Sequence, residues 1–153
     1  MSNRHLARTI ALQTLYQWDF TCAKKEEGED LLAYNFHELA PEFDDHGFAR
    51  HIVEGTLKNL ELINNLITEY APEWPLDQIT TVDRNILRMG IYEMLFDNDI
   101  PDKVAINEAI ELGKSFGGSA SGKFINGVLG TLYKDKVEQE NKLSDTSPKT
   151  ETA

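Results

Sequence analysis

Apolar residues recur at three- and four-residue spacing through most of this chain. Leu6, Ala7, Ile10, Ala11, Thr14, Leu15 and Trp18 form one stripe, the mark of an amphipathic helix. Leu31 to Leu39 predicts a short helix stopped by Pro41. From Asp44 onward, Phe48, Ile52, Leu60, Ile63, Ile67 and Tyr70 keep a helical period, which predicts one long helix ending before Pro72. The prolines of "APEWPLDQI" make a connector. Thr80, with Asp83 three positions on, has the form of a hydroxyl cap followed by a first-turn acid. Ile86, Leu87, Gly90, Ile91, Met94 and Leu95 then give a broad apolar stripe suited to a central helix. Asp97 to Ile100 reads as a turn, and Pro101 suits a first helical position. Ala105, Ile106, Ala109, Ile110, Gly113 and Phe116 mark the next helix, and Phe124, Val128 and Leu132 the last. No period-two run predicts a strand. The expectation is an all-α fold of about seven helices around one core, residues 1–137, followed by a disordered polar tail, 138–153.

Charge changes this picture in one respect. The net charge is −11, which disfavours broad, non-specific binding to a phosphate backbone. The charge is uneven, however: residues 1–25 hold four Lys/Arg against one acid, while residues 26–46 hold eight acids and no Lys or Arg. Residues 101–136 hold five lysines against four acids, so a small basic face is available. No apolar run has the length of a membrane span, about 18 residues or more, and the N-terminus lacks a signal-peptide pattern. The single cysteine, Cys22, has no internal partner, which fits a reducing, cytoplasmic setting.

Residues 117–124, "GGSASGKF", match a phosphate-binding loop except at the last position, where Phe124 stands in place of Ser or Thr. That loop must follow a buried strand, and the preceding "VAINEAIELGKSF" has a helical period. A helix–loop–helix turn explains the glycines, with Ser119 or Ser121 as cap. It leaves Lys123 beside Phe124 in the first turn of a helix unexplained. A helix N-terminus and a lysine suit phosphate, and an aromatic ring offers a face to an unstacked base. Core packing is the competing reading for Phe124.

Enzyme signatures fail. His37-Glu38 lacks the second histidine of a zinc-protease helix, His46 and His51 lie on different faces, and no Glu precedes His by three. Glu108 and Glu111 read as a solvated face. No cofactor or metal site is indicated.

Arg4 and Arg8 are four apart, with His5 between, so the first helix carries a short basic stripe. It reads either as a solubilising face or as a phosphate contact beside Lys123. Arg84 and Arg88 are also four apart, and at least one is expected to pair with an acid such as Asp83 or Glu93. RNA contact by Arg88 is the other candidate role. Gly127 and Gly130 are expected to let the last helix approach a neighbour closely, and Asn126 to bond across that contact or face RNA.

Three stretches carry a family resemblance. "RHLARTIALQTLYQWDF", "VDRNILRMGIYEMLF" and, most specifically, "VAINEAIELGKSFGGSASGKFINGVLGTL" resemble the antitermination factor NusB family, over residues 4 to 133. The resemblance implies two packed helical subdomains and no catalysis. It implies binding of single-stranded boxA RNA of ribosomal RNA transcripts as a heterodimer with NusE, a small-subunit ribosomal protein. It also implies support of RNA polymerase elongation past terminators, and a possible homodimer in the free state. The family's RNA-binding positions fall on Arg4, His5, Arg8, Lys123 and Phe124. NusE contacts fall on Tyr16, Asp77 and Asp83. Residue 120, often acidic in the family, is Ala here. A protein-interaction module docking a ribosomal or polymerase subunit without RNA is the alternative. An RNA-modifying enzyme lacks the cofactor domain it would need.

Overall fold

The computed structural model describes the backbone of residues 3–151 and the side chains of residues 3–144. The described residues form seven α-helices: α1 Asn3–Phe20, α2 Gly28–Leu39, α3 Phe48–Lys58, α4 Leu60–Tyr70, α5 Thr81–Leu95, α6 Asp102–Gly117 and α7 Ser119–Glu151. Short 3-10 turns lie at Lys25–Glu27 and Leu76–Gln78. Among the described residues there is no strand. Helices α1, α2 and α3 pack on one another, as do α4 to α7, and α5 joins the two groups by touching α1 and α3.

α5 is central because its apolar residues run nearly all round. Ile86, Leu87, Met89, Ile91 and Met94 are buried, against Ile10, Ala11 and Leu15 of α1 in the same core as Ile125 and Leu129 of α7. The predicted cap starts α5 as expected: Thr80 Oγ1 accepts from the Asp83 backbone N–H at 3.2 Å.

The sequence departs from the structure at three places. The long helix expected from Asp44 to Tyr70 is two helices. Asp44 and Asp45 instead bond the backbone N–H groups of His46, Gly47 and Ala49, which sets the start of α3 at Phe48. Asn59 ends α3, its side-chain amide bonding back to the Gly55 carbonyl at 2.8 Å while its own backbone leaves the helical region. Gly127 and Gly130 have open space or only their own helix where a Cβ would stand, so they make no close approach. That contact is at Gly113, where an added Cβ would lie 2.6 Å from Ile125. Finally, α7 continues as helix through the polar stretch after residue 137, with the side chains of 138–144 exposed. No helix among the described residues is long and apolar enough to cross a membrane.

Candidate nucleic-acid interface

Arg4 and Arg8 share a face of α1, as their spacing requires, and both guanidinium groups lie over the Phe48 ring, at 4.8 and 5.0 Å. Their environments differ sharply. Arg4 is exposed, whereas Arg8 is only 3% exposed. Arg8 makes a bidentate pair with Glu93 of α5, Nε to Oε1 at 2.8 Å and Nη2 to Oε2 at 2.9 Å. Its Nη1 also lies 3.8 Å from Glu108, whose Oε2 is 3.3 Å from His5 Nδ1. Burial pushes the Glu93 carboxyl above its ordinary value even with Arg8 beside it. Arg8 therefore pins α1 to α5 and presents no donor to a ligand. The basic stripe reduces to Arg4, with His5 engaged at its side.

The central-helix arginines are also structural. Arg88 is 4% exposed. Its Nη1 donates to Asp19 Oδ2 at 2.8 Å and to Asn85, and its Nε donates to Asn64 at 3.0 Å. Arg84 Nε reaches the same Asp19 oxygen at 2.8 Å, and Arg84 Nη1 bonds the Leu76 and Ile79 carbonyls. The expected acids were Asp83 or Glu93; the partner of both arginines is Asp19, from the end of α1. Burial would raise the Asp19 carboxyl, but hydrogen bonds from Arg84 and Asn85 and the charge of Arg88 hold it below its ordinary value. Burial also pulls the Arg88 guanidinium below its ordinary value, against the charge of Asp19. Arg88 has no face left for RNA.

The opening of α7 is different. Gly118, at φ 89, makes the sharp turn out of α6. Lys123 follows in an exposed position, with no ion pair among the described residues. Phe124 is half-buried and meets the edge of Trp74 at a centroid distance of 6.3 Å and an interplanar angle of 73°. Trp74 is 50% exposed. The two rings, with Ile79, Thr80, Asp83 and Ser121, line a groove of about 380 Å³. Asp83 is 8% exposed, and its Oδ1 has no hydrogen-bond partner. Sequence reasoning missed Trp74. The available signal was a large aromatic between Pro72 and Pro75, in a connector with no apolar period to bury it.

Tyr16 lies on another surface. It stacks on Phe20, centroids 5.8 Å apart, beside a hollow of about 190 Å³ lined by Leu12, Gln13, Val82 and Phe116. Phe20 and Phe116 are exposed, so the patch is apolar and open. Asp77 is exposed on its 3-10 turn, whereas Asp83 is buried and lines the aromatic groove. The structure thus brings Asp83 and Phe124 together, with Lys123 adjacent. Arg4 instead borders a concavity with Asp44, Asp45, Phe48, His51 and Asp97. Among the described residues no cluster of His, Cys, Asp or Glu is placed to hold a metal.

Comparison with known proteins extends this geometry. The NusB family model matches residues 5–134. The transcription antitermination protein NusB of Pelotomaculum thermopropionicum is 43% identical over 136 residues, covering 89% of this chain and 92% of that one. That of Dehalococcoides mccartyi is 38% identical over 144 residues, covering 94% and 99%. Among solved structures, T. maritima NusB superposes with a TM-score of 0.77 at 35% identity, covering 88% of this chain and 92% of the other. A complex of antitermination factors NusB and NusE with dsRNA gives a TM-score of 0.78 at 27% identity, covering 88% and 98%. The family model over residues 5–134 and the identity shared with these relatives along about nine-tenths of the chain make this chain a member of the NusB family.

Proposed function

We propose that this chain is a transcription antitermination factor that binds unpaired boxA RNA together with NusE and so joins the RNA polymerase elongation complex. Its relatives carry the antitermination name, and one similar structure holds NusE and RNA. The role is binding, not catalysis. The observation that carries the RNA part is an exposed Lys123, with no ion pair among the described residues, next to Phe124 and its contact with Trp74 near the N-terminus of α7. Backbone N–H groups of the first turn and the lysine receive phosphate, and the rings receive a base.

Arg8 and Arg88 are spent inside the fold, so of the cations singled out from the sequence Arg4 and Lys123 remain for RNA, with His5 near the first. Each phosphate neutralised on a single strand adds about −0.7 to the slope of log K against log salt, so a shallow dependence follows. Affinity must come from a second protein that adds its own basic surface. The open patch of Tyr16, Phe20, Val82 and Phe116 suits docking of a ribosomal protein. The test measures binding of a boxA RNA and a scrambled control with and without NusE. Tight, sequence-selective binding is expected only with NusE. Replacing Lys123 and Phe124 by Ala should weaken RNA binding about tenfold or more, given ~1–3 kcal/mol per stacked base, and leave NusE binding intact. Equal RNA affinity with and without NusE, or a double variant that binds RNA like the parent, would overturn the reading.

A further inference from the structure

The groove between Trp74 and Phe124 has walls of different origin. Ala120, Ser121 and Phe124 belong to α7 and are fixed by that helix, whereas Trp74, Gln78 and Ile79 belong to the connector between α4 and α5. The angle at which the indole meets Phe124 therefore depends on where the connector lies. Little within the connector fixes it. Pro72 and Pro75 have no N–H to donate. Its backbone bonds are local: Trp74 N–H to the Ala71 carbonyl at 3.0 Å, Gln78 to Pro75 at 2.9 Å and Ile79 to Leu76 at 3.3 Å. Ala71 and Ile79 bury its two ends, but Trp74 between them is 50% exposed.

Arg84 supplies the tie. From the first turn of α5 its Nη1 donates to the Leu76 carbonyl at 3.1 Å and to the Ile79 carbonyl at 3.3 Å. Its Nε donates to Asp19 Oδ2 at 2.8 Å, and Asn85 and Arg88 hold the same oxygen. A short 3-10 turn leaves carbonyls short of partners, and one guanidinium here meets two of them. Asp19 stands near the end of α1, so Arg84 fixes the connector wall to the packed α1–α5 pair. The task suits arginine. Its rigid fork donates in two directions at once, which a lysine ammonium on a flexible stem does not reproduce. Arg84 is itself largely buried, its side chain 14% exposed, and its donors point into the chain.

We propose that Arg84 is a positioning residue for RNA. It touches no nucleotide; it holds the Trp74 wall against Phe124, so that the two rings present a face already ordered for an unpaired base. The inference rests on the RNA-binding reading above and adds the residue that orders its aromatic surface.

The test is a double-mutant cycle on the full chain with saturating NusE, read as affinity for boxA RNA. Trp74→Ala should weaken binding about tenfold, the loss of a stacked base, and Arg84→Met about fivefold, because a displaced ring still stacks in part. Arg84→Met in the Trp74→Ala background should cost nothing further, since the ring through which Arg84 acts is gone. In protein labelled with 5-fluorotryptophan, the fluorine resonance of Trp74, assigned through Trp74→Phe, should move toward its unfolded position in Arg84→Met. Circular dichroism checks the fold. If Arg84→Met does not fold, Arg84→Lys, which keeps the charge beside Asp19 and lacks the fork, takes its place with the same expected changes. Equal losses from the Arg84 variant with and without Trp74 would mean that the guanidinium acts on RNA by another route, and would overturn the proposal. So would an unmoved Trp74 resonance, or parental RNA affinity in the Arg84 variant. If Trp74→Ala binds RNA like the parent, the positioning role falls while RNA binding stands. If the parent complex binds no boxA RNA, both readings fall.

Discussion

Replacing Arg8 by alanine separates a structural cation from an RNA-binding one. Arg8 is 3% exposed and holds both oxygens of Glu93, at 2.8 and 2.9 Å, while its guanidinium lies over Phe48. Removing it leaves a buried carboxylate with no bidentate partner. Breaking a buried pair from one side costs about 3–5 kcal/mol, a large share of the ~5–15 kcal/mol by which a domain is stable. The pH dependence has a definite sign. Burial raises the Glu93 carboxyl in the folded state even in the parent, and losing Arg8 raises it further. A carboxyl raised on folding contributes stability that is present below its unfolded value and lost as pH rises through the folded one. The deficit of Arg8→Ala should therefore be largest at neutral pH and shrink on mild acidification, when Glu93 is protonated. Urea denaturation followed by circular dichroism at both pH values measures this. The double variant Arg8→Met, Glu93→Leu should recover most of the loss, because a well-packed apolar pair replaces an ion pair with little penalty. A deficit below about 1 kcal/mol, the range of exposed pairs, or one that does not change with pH, would refute the reasoning.

Three further outcomes follow from other contacts. Asp19→Asn removes the charge shared by Arg84 and Arg88 and should cost about 3 kcal/mol in urea denaturation. Asp19 is held below its ordinary value on folding, so its stabilisation is present above that value and lost as pH falls. The acid limb of the variant's stability curve should be flatter than the parent's. Gly55→Ala sets a Cβ 2.0 Å from the Tyr92 ring and should destabilise by about 1–3 kcal/mol, read as a lower melting temperature. Thr80→Ala loses the cap of α5 and should cost about 1 kcal/mol on the same scale.

Local chemistry made part of this molecule readable from its residues. The stripe of α1 and the Thr80 cap follow from period and hydroxyl alone. The break at Asn59 does not, because the helical period continues through it while the Asn59 backbone leaves the helical region and its side chain bonds back to Gly55. Arg8 and Arg88 have the spacing of a basic stripe. Their partners Glu93 and Asp19 lie 85 and 69 residues away, so pattern cannot tell a buried pair from an exposed face. Lys123 and Phe124 stood out because no local rule required that pair. Asp83 read as a first-turn acid, and only the fold shows it buried at the edge of the aromatic groove.

Photocrosslinking of an unpaired boxA RNA to the complex with NusE, with adducts located by peptide mass spectrometry, tests the central claim most directly. The account predicts adducts on Phe124, Trp74 and Lys123, with Arg8 and Arg88 unmarked. Adducts confined to the concavity around Arg4 and Phe48, with the start of α7 unmodified, would contradict it.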